Sequence, residues 1–144
     1  MTTTAGSVHV VLPGDIDDPA TPSGGNSYDR RVCHGLVAAG WSVREHAVPG
    51  GWPRPGPTGC AELARVLGQL PDHAIVLLDG LVASAVPEVL RPHAARLRLV
   101  ILVHMPLGDR PADGRADDAR TRECAVLSVA AAVITTSAWS RQRL

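Results

Sequence analysis

The sequence VHVVLPGDIDDPATPSGGNSYDRRVCHGLVAA, from Val8 to Ala39, passes from an apolar run through a loop rich in Gly and Pro into a helical pattern. The run from Val8 to Leu12 is short and mostly β-branched, which predicts a buried parallel strand. A helix is predicted to begin directly after Gly24 and Gly25, and Gly40 fits its left-handed stop. Its predicted apolar face carries Tyr28, Val32, Leu36 and Ala39.

A strand, a glycine loop and a helix N-terminus in succession form an arrangement that binds anions. Two adjacent glycines let a ligand approach the backbone, and the free N–H groups and dipole of the helix favour negative charge. Ser23, Asn26 or Ser27 can supply the N-cap oxygen. The alternative is a glycine-rich surface loop without a ligand, because a glycine pair alone is a weak signal.

The composition is that of one globular domain. The chain has 144 residues, of which 45% are hydrophobic and 19% charged, as in ordinary globular proteins. The formal net charge is +0, which gives no electrostatic reason to expect nucleic acid or an anionic membrane as a partner. Cys33, Cys60 and Cys124 are far apart and odd in number, which predicts buried free thiols in a reducing cytoplasm. The first residues lack the pattern of a signal peptide.

Four further apolar runs predict strands, and helical segments separate them. Five strands alternating with helices predict a doubly wound, mainly parallel five-stranded α/β sheet with helices on both faces. The strand around Trp41–Val48 alternates with polar residues and is expected near the sheet edge. The other predicted strands are Ala74–Asp79, Leu97–His104 and Ala132–Thr136. The predicted helices are Gly59–Leu70, Val82–Leu97 with a kink or break at Pro92, Asp117–Ala130, and a segment from Ser137 to Leu144; Pro49–Pro57 and Met105–Ala116 are predicted loops.

Parallel sheets of this class bind ligands beyond the carboxyl ends of their strands, so the residues that follow each strand are the candidates. His104 ends an apolar strand, where its ring can either contact a ligand or tie down the following loop. Asp79, followed by Gly80, can accept sugar hydroxyls or cap the next helix. Ser137 follows the last strand and is predicted to N-cap a helix.

Several signatures of nucleotide-dependent enzymes are missing. No G-x-G-x-x-G follows the first strand and no acidic residue ends the second, which argues against an NAD site. The chain contains no G-x-S-x-G and no Walker lysine, since it has no Lys at all. Asp15, Asp17 and Asp18 crowd the first loop, but no partner ligands are evident elsewhere, so a solvated loop is favoured over a metal site.

Three segments resemble, in order and spacing, the N-terminal domain of family-4 glycosyltransferases, whose GT-B fold has two facing Rossmann-like domains. They are SGGNSYDRRVCHGLVAAGWSV, then LDGLVASAVPEVL, then LVHMPLG followed by RECAVLSVAAAVITTSAWSRQRL. The likeness covers residues 1–144, which implies one Rossmann-like, acceptor-side domain. It implies a retaining, hexosyltransferase-type transfer from a nucleotide-sugar donor to an acceptor that the sequence does not identify. It also implies no cofactor and no metal in the active site.

The resemblance assigns positions to the candidate residues. Gly24 and Gly25 would face the donor diphosphate, and Asn26 would begin the helix beside it. His104 would lie close to the transferred sugar and hold one of its hydroxyls. Ser137 would line the cleft between the two domains.

The chain departs from the family because the second Rossmann-like domain, with its basic pair and E-x7-E motif, is absent from the sequence. That C-terminal domain is therefore expected as an intramolecular partner, and the isolated chain is expected to show little or no transferase activity. Because Leu144 falls partway into a predicted helix, we expect a truncated chain. Glu123 matches a recurrent helix Glu to which no role is assigned. The alternative function is a non-catalytic Rossmann-like module that binds a small anion or a protein partner.

Overall fold

Five parallel strands form one sheet in the computed structural model, which describes residues 5–109 and 116–144. The strands are β1 (Gly6–Pro13), β2 (Trp41–Val48), β3 (Ile75–Asp79), β4 (Arg98–Val103) and β5 (Ala132–Thr135). Their order across the sheet is β2-β1-β3-β4-β5. The predicted α/β fold with a parallel five-stranded, Rossmann-like sheet is confirmed, as is the edge position of β2.

Six helices accompany the sheet within the described residues. They are α1 (Gly24–Ala38), α2 (Pro57–Gln69), α3 (Gly80–Ala83), α4 (Pro87–Leu90), α5 (Ala116–Leu127) and α6 (Ala138–Arg141), with 3₁₀ turns at Arg91–His93 and Leu107–Asp109. The helix α1 packs on one face of the sheet, while α2, α4 and α5 contribute to the core on the other face. Within residues 5–109 and 116–144, no helix combines the length and the apolar character that crossing a bilayer requires.

The two faces of the sheet meet at β1, whose side chains alternate between them. Val10 and Leu12 pack against Cys33 of α1. Val11 points to the opposite face, into a core that it shares with Leu63 of α2. Because both faces are covered, the strand reads as a nearly continuous apolar run.

The predicted apolar face of α1 is wrong by about one residue. Val32 and Leu36 do pack on the sheet, but Tyr28 is 40% exposed, and the buried residues of the helix are Asp29 and Cys33. The predicted end is confirmed, because Gly40 adopts a φ of 88°. Of the three candidate N-caps, Ser23 accepts the backbone N–H of Asn26 at 3.4 Å.

The long helix predicted from Val82 to Leu97 is replaced by α3, α4 and a 3₁₀ turn. The main break precedes Pro87 rather than Pro92, because proline drives the residue before it out of the helical region. Val86 accordingly has φ −138° and ψ 61°, and Pro87 then starts α4 as its first residue. The last predicted helix also ends early, at Arg141.

The predicted loop Met105–Ala116 contains a short 3₁₀ turn, and residues 110–115 of that loop lie outside the described residues. All three cysteines are free, but only Cys33 is buried as expected, while Cys60 is half-buried and Cys124 is exposed. Burial raises the pKa of the Cys33 thiol to about 11, so this thiol behaves as an inert packing group.

Candidate functional site

The candidate residues gather at the edge where the parallel strands have their carboxyl ends. β2, which follows β1 in sequence, lies on one side of β1, and β3 lies on the other side. That reversal is the topological switch point, where open α/β sheets form their ligand crevice. Asp79 ends β3 at this point, and His104 follows the adjacent strand β4.

The imidazole of His104 lies between two carboxylates. Its Nε2 is 2.7 Å from Oδ1 of Asp29 and 3.8 Å from Oδ2 of Asp79. The ring of Tyr28 meets the imidazole edge-on, with 5.3 Å between centroids. The two carboxylate side chains are 1% and 3% exposed, whereas the imidazole is 23% exposed. We call Asp29, Asp79 and His104 the carboxylate–histidine cluster.

Asp29 is a functional candidate that the sequence interpretation missed. It lies on the second turn of α1, where its Oδ1 accepts the Nε2–H of His104. Its Oδ2 is buried and has no hydrogen-bond partner. A signal was present in the sequence, because Asp29 shares a helical face with Cys33 and Leu36. Together with Asp79 it lines a narrow crevice whose other walls are apolar, formed by Val10, Leu12, Val32, Leu77 and Leu102.

Asp79 performs one of the two roles that its position allowed. Its Oδ1 accepts the backbone N–H of Leu81 at 2.6 Å and so caps α3, while its other oxygen faces His104. The following residue must be small, because a Cβ on Gly80 would lie 2.9 Å from the carbonyl oxygen of Leu102. This close approach of two strand ends brings Asp79 near His104.

The glycine pair begins α1 beside the cluster. A Cβ on Gly25 would lie 3.4 Å from Cδ2 of His104, whereas one on Gly24 would meet nothing within 4 Å. The first turn of a helix leaves backbone N–H groups without intrahelical partners. Asn26 has its N–H bound by Ser23, and its side-chain amide reaches the carbonyl of Asp15 at 3.5 Å. The first turn of α1 therefore leaves open space beside the backbone at Gly24.

Ser137 touches the site indirectly. It caps α6 by accepting the N–H of Ser140 at 3.1 Å. The hydroxyl of Ser140 in turn donates to the backbone carbonyl of His104 at 3.0 Å, and that of Thr136 donates to the same carbonyl at 3.2 Å. The backbone of His104 thus holds the segment after β5, while its ring is directed to α1.

Glu123 supports the loop that follows His104. It is 3% exposed, and its two carboxylate oxygens accept the backbone N–H of Leu107 at 3.2 and 3.1 Å. Burial raises the pKa of Glu123, and the hydrogen bond from Leu107 partly opposes that rise. The contacts give the residue a structural role in holding the 3₁₀ turn against α5.

The contacts of His104 decide which ring atom is free to act. A carboxylate only accepts hydrogen bonds, so the close contact with Asp29 requires a proton on Nε2 of His104. In the neutral ring this leaves Nδ1 as an acceptor. The site therefore presents an oriented imidazole, two buried carboxylates and a helix N-terminus within one small region.

Comparison with known proteins adds no assignment to this geometry. No protein-family model, no curated protein and no solved structure matches the chain. The argument for a function consequently depends on the contacts at the carboxyl edge of the sheet.

Proposed function

We propose that this chain is the acceptor-side domain of a retaining glycosyltransferase that uses a nucleotide-sugar donor. The observation that carries the proposal is the contact between the first turn of α1 and His104, with two buried carboxylates behind the ring. The positive end of the α1 dipole therefore lies next to the negatively charged carboxylates of the cluster. Cleavage of a sugar–diphosphate bond develops charges of both signs, negative on the diphosphate and positive on the sugar.

The start of α1 suits the diphosphate. Backbone N–H groups in the first turn and the helix dipole stabilise an anion without any Lys. The open space beside Gly24 leaves room for a phosphate to approach. Donors fixed in place before the reaction stabilise the charge of the leaving diphosphate with little reorganisation.

The imidazole of His104 suits a sugar hydroxyl. Its Nε2–H is held by Asp29, which orients the ring and leaves Nδ1 to accept a hydroxyl proton in a hydrogen bond. The ring is 23% exposed, so a ligand at the rim of the sheet can reach it. Asp79 adds negative charge on the side of the developing positive sugar. Ser137, on the rim beyond β5, would line the cleft towards the second domain.

The surface around β5 supports a multidomain enzyme. Val133, Ile134 and Trp139 are 38%, 46% and 47% exposed. Several large apolar side chains on neighbouring elements are typical of a surface that another domain covers. The second domain expected from the sequence resemblance would supply the nucleotide contacts, so the chain alone should have little or no transferase activity.

The proposal is tested by following backbone amide signals of the ¹⁵N-labelled chain during titration with UDP-glucose, GDP-mannose and NAD. We expect either nucleotide-sugar, at millimolar concentration, to shift the signals of Gly24, Gly25 and Asn26. Gly25→Leu should abolish the response, because the added side chain fills the space against His104. The control is Gly35→Leu on the same helix, where a Cβ meets nothing within 4 Å.

Three results would contradict the proposal. Tight binding of NAD would favour an oxidoreductase domain. Shifts confined to other parts of the chain, or none at all, would favour the non-catalytic module. Substantial sugar transfer by the isolated chain would contradict the expected dependence on a second domain.

A further inference from the structure

The carboxylate–histidine cluster collects potential metal ligands from three separate elements. One carboxylate oxygen of Asp29, one of Asp79 and one ring nitrogen of His104 lie within 4.8 Å of one another. Asp29 and His104 are 75 positions apart in sequence. This separation explains why the spacing of residues along the chain gave no sign of a ligand set.

The cluster also contains an unsatisfied buried acceptor. Oδ2 of Asp29 has no hydrogen-bond partner although its side chain is 1% exposed. Buried polar atoms of folded proteins almost always have a partner, and an isolated buried charge is strongly unfavourable. The unsatisfied oxygen therefore points to a bound group that completes its coordination.

We propose that Asp29, Asp79 and His104 bind a divalent first-row metal ion, with Zn²⁺ the best match. In a tetrahedral zinc site with bonds of about 2.0–2.2 Å, neighbouring ligand atoms lie roughly 3.4 Å apart. The distances from Nε2 of His104 to the two carboxylates, 2.7 and 3.8 Å, lie on either side of that value. The three ligand atoms lie within 4.8 Å of one another, so the side chains would have to draw closer to form the site.

The kind of ligand favours zinc over magnesium or calcium. Mg²⁺ and Ca²⁺ select oxygen ligands in sites of six or more, whereas imidazole suits zinc and its neighbours. Two carboxylates would balance the charge of the ion. Three protein ligands leave the fourth position open for water or a ligand atom, and the partly exposed ring of His104 provides access from solvent.

A surrounding contact already orients one of the ligands. Asp79 has its second oxygen fixed by the N–H of Leu81, an outer contact of the kind that metal-binding carboxylates use. For an ion to bind Nε2, the neutral imidazole would carry its proton on Nδ1 in place of Nε2.

The inference is tested by calorimetric titration of the metal-free chain with Zn²⁺, Mn²⁺ and Mg²⁺. We expect one Zn²⁺ per chain, weaker binding of Mn²⁺ and none of Mg²⁺. Asp29→Asn and His104→Ala should each weaken Zn²⁺ binding at least tenfold. Asp79→Asn should do the same while keeping the cap of α3, because Asn is also a good N-cap residue. Circular dichroism checks that each variant is folded.

Matched controls separate this site from other metal-binding groups. His34→Ala and Cys124→Ser change exposed residues and should leave Zn²⁺ binding unchanged. Co²⁺ as a coloured substitute should give the spectrum of nitrogen and oxygen ligands without a thiolate band. Absence of binding, a thiolate band, or binding that survives Asp29→Asn and His104→Ala would overturn the inference.

The two proposals make opposite demands on the ring, because Zn²⁺ on Nε2 leaves the proton on Nδ1, where a sugar hydroxyl would need an acceptor. A metal here would also depart from the metal-free active site that the sequence resemblance implies. The two proposals can be told apart because the ion is measured on the chain without nucleotide-sugar. Zn²⁺ binding without any response to nucleotide-sugars would support this site and contradict the proposed function. A response to nucleotide-sugars without Zn²⁺ binding would do the reverse.

Discussion

Two histidine environments in the same sheet have opposite character. His104 follows a strand and places its Nε2 between two carboxylates. His9 lies within β1 and contacts His46 of β2, with 3.0 Å between Nδ1 and Nε2 and the rings stacked at 5.3 Å. Burial lowers the pKa of both His9 and His46, and the neighbouring ring lowers that of His9 further. One environment pairs the ring with carboxylates, whereas the other disfavours a positive charge.

The difference follows from position in the fold. Inside β1, His9 is enclosed by its neighbours and contacts His46, so the neutral form of the ring is favoured. At the end of a strand the ring reaches a rim to which helix starts and loops contribute. The rim combines access from solvent with charges from distant segments, and this is why we propose a functional role for His104 and not for the His9–His46 pair.

The largest effect should come from the glycine that brings the rim together. Gly80→Ala would put a Cβ 2.9 Å from the backbone oxygen of Leu102, so the strands must shift at a cost of roughly 3 kcal/mol. A Cβ at Gly68 in α2 would meet nothing within 4 Å, so Gly68→Ala should instead raise the free energy of unfolding by about 0.5–1 kcal/mol. Urea unfolding of both variants checks this pair. Equal stabilities would show that the rim is not closely packed at Gly80.

A smaller loss should follow from removing the partner of His104. Asp29→Ala leaves the Nε2–H of His104 without its acceptor, which should cost about 1–2 kcal/mol. Asp29→Asn keeps an acceptor in place and should recover most of the loss. The control is Asp17→Ala on the exposed loop, whose ion pair with Arg30 should contribute less than about 1 kcal/mol. The measurement is the free energy of unfolding. An Asp29→Ala variant as stable as the wild type would contradict the contrast between the two histidine environments.

The His9–His46 pair should make the protein sensitive to mild acid. Both histidines have a lowered pKa in the folded state, so their contribution is complete above the unfolded value of about 6.5. It is lost as the pH falls below that value, since the unfolded chain binds protons more readily. Thermal unfolding from pH 8 to pH 5 should therefore show falling stability. The double variant His9→Leu/His46→Leu should flatten this fall, whereas His34→Ala should retain it.

The smallest effect should come from Glu123, whose pKa is raised by burial. Its protonated form is favoured in the folded state, so the protein loses stability as the pH rises from the unfolded value of 4.5 through the higher folded value. Glu123→Gln still accepts the N–H of Leu107 and should remove this dependence, with a change within about 1 kcal/mol at neutral pH. Identical pH profiles for variant and wild type would contradict the assignment.

Much of the fold could be predicted from local patterns. Short apolar runs such as Val8–Leu12 and Ala74–Asp79 predicted buried strands of a parallel sheet. Gly40 marked the end of α1 because glycine readily adopts a positive φ. Ser137 marked the start of α6 because its hydroxyl can cap a helix. Pro87 was the exception, since Pro92 also lies in the segment and the pattern does not show which proline ends a helix.

The candidate site could be predicted only in outline. The rim residues His104 and Asp79 followed from the rule that parallel sheets bind ligands at their carboxyl ends. Asp29 did not, because placing Tyr28 on the apolar face rotated the predicted helix by one residue. The cluster itself depends on contacts over long sequence separations, which are fixed by strand order rather than by spacing along the chain.

The most direct test of the central claim is the ¹⁵N spectrum of the His104 ring during titration with nucleotide-sugar. The contacts predict a proton on Nε2 in the free chain and a change at Nδ1 when the sugar hydroxyl binds. Asp29→Asn, with its weaker acceptor, should reduce both features. A ring protonated on Nδ1 alone in the free chain, or a ring spectrum unchanged by saturating nucleotide-sugar, would contradict the account.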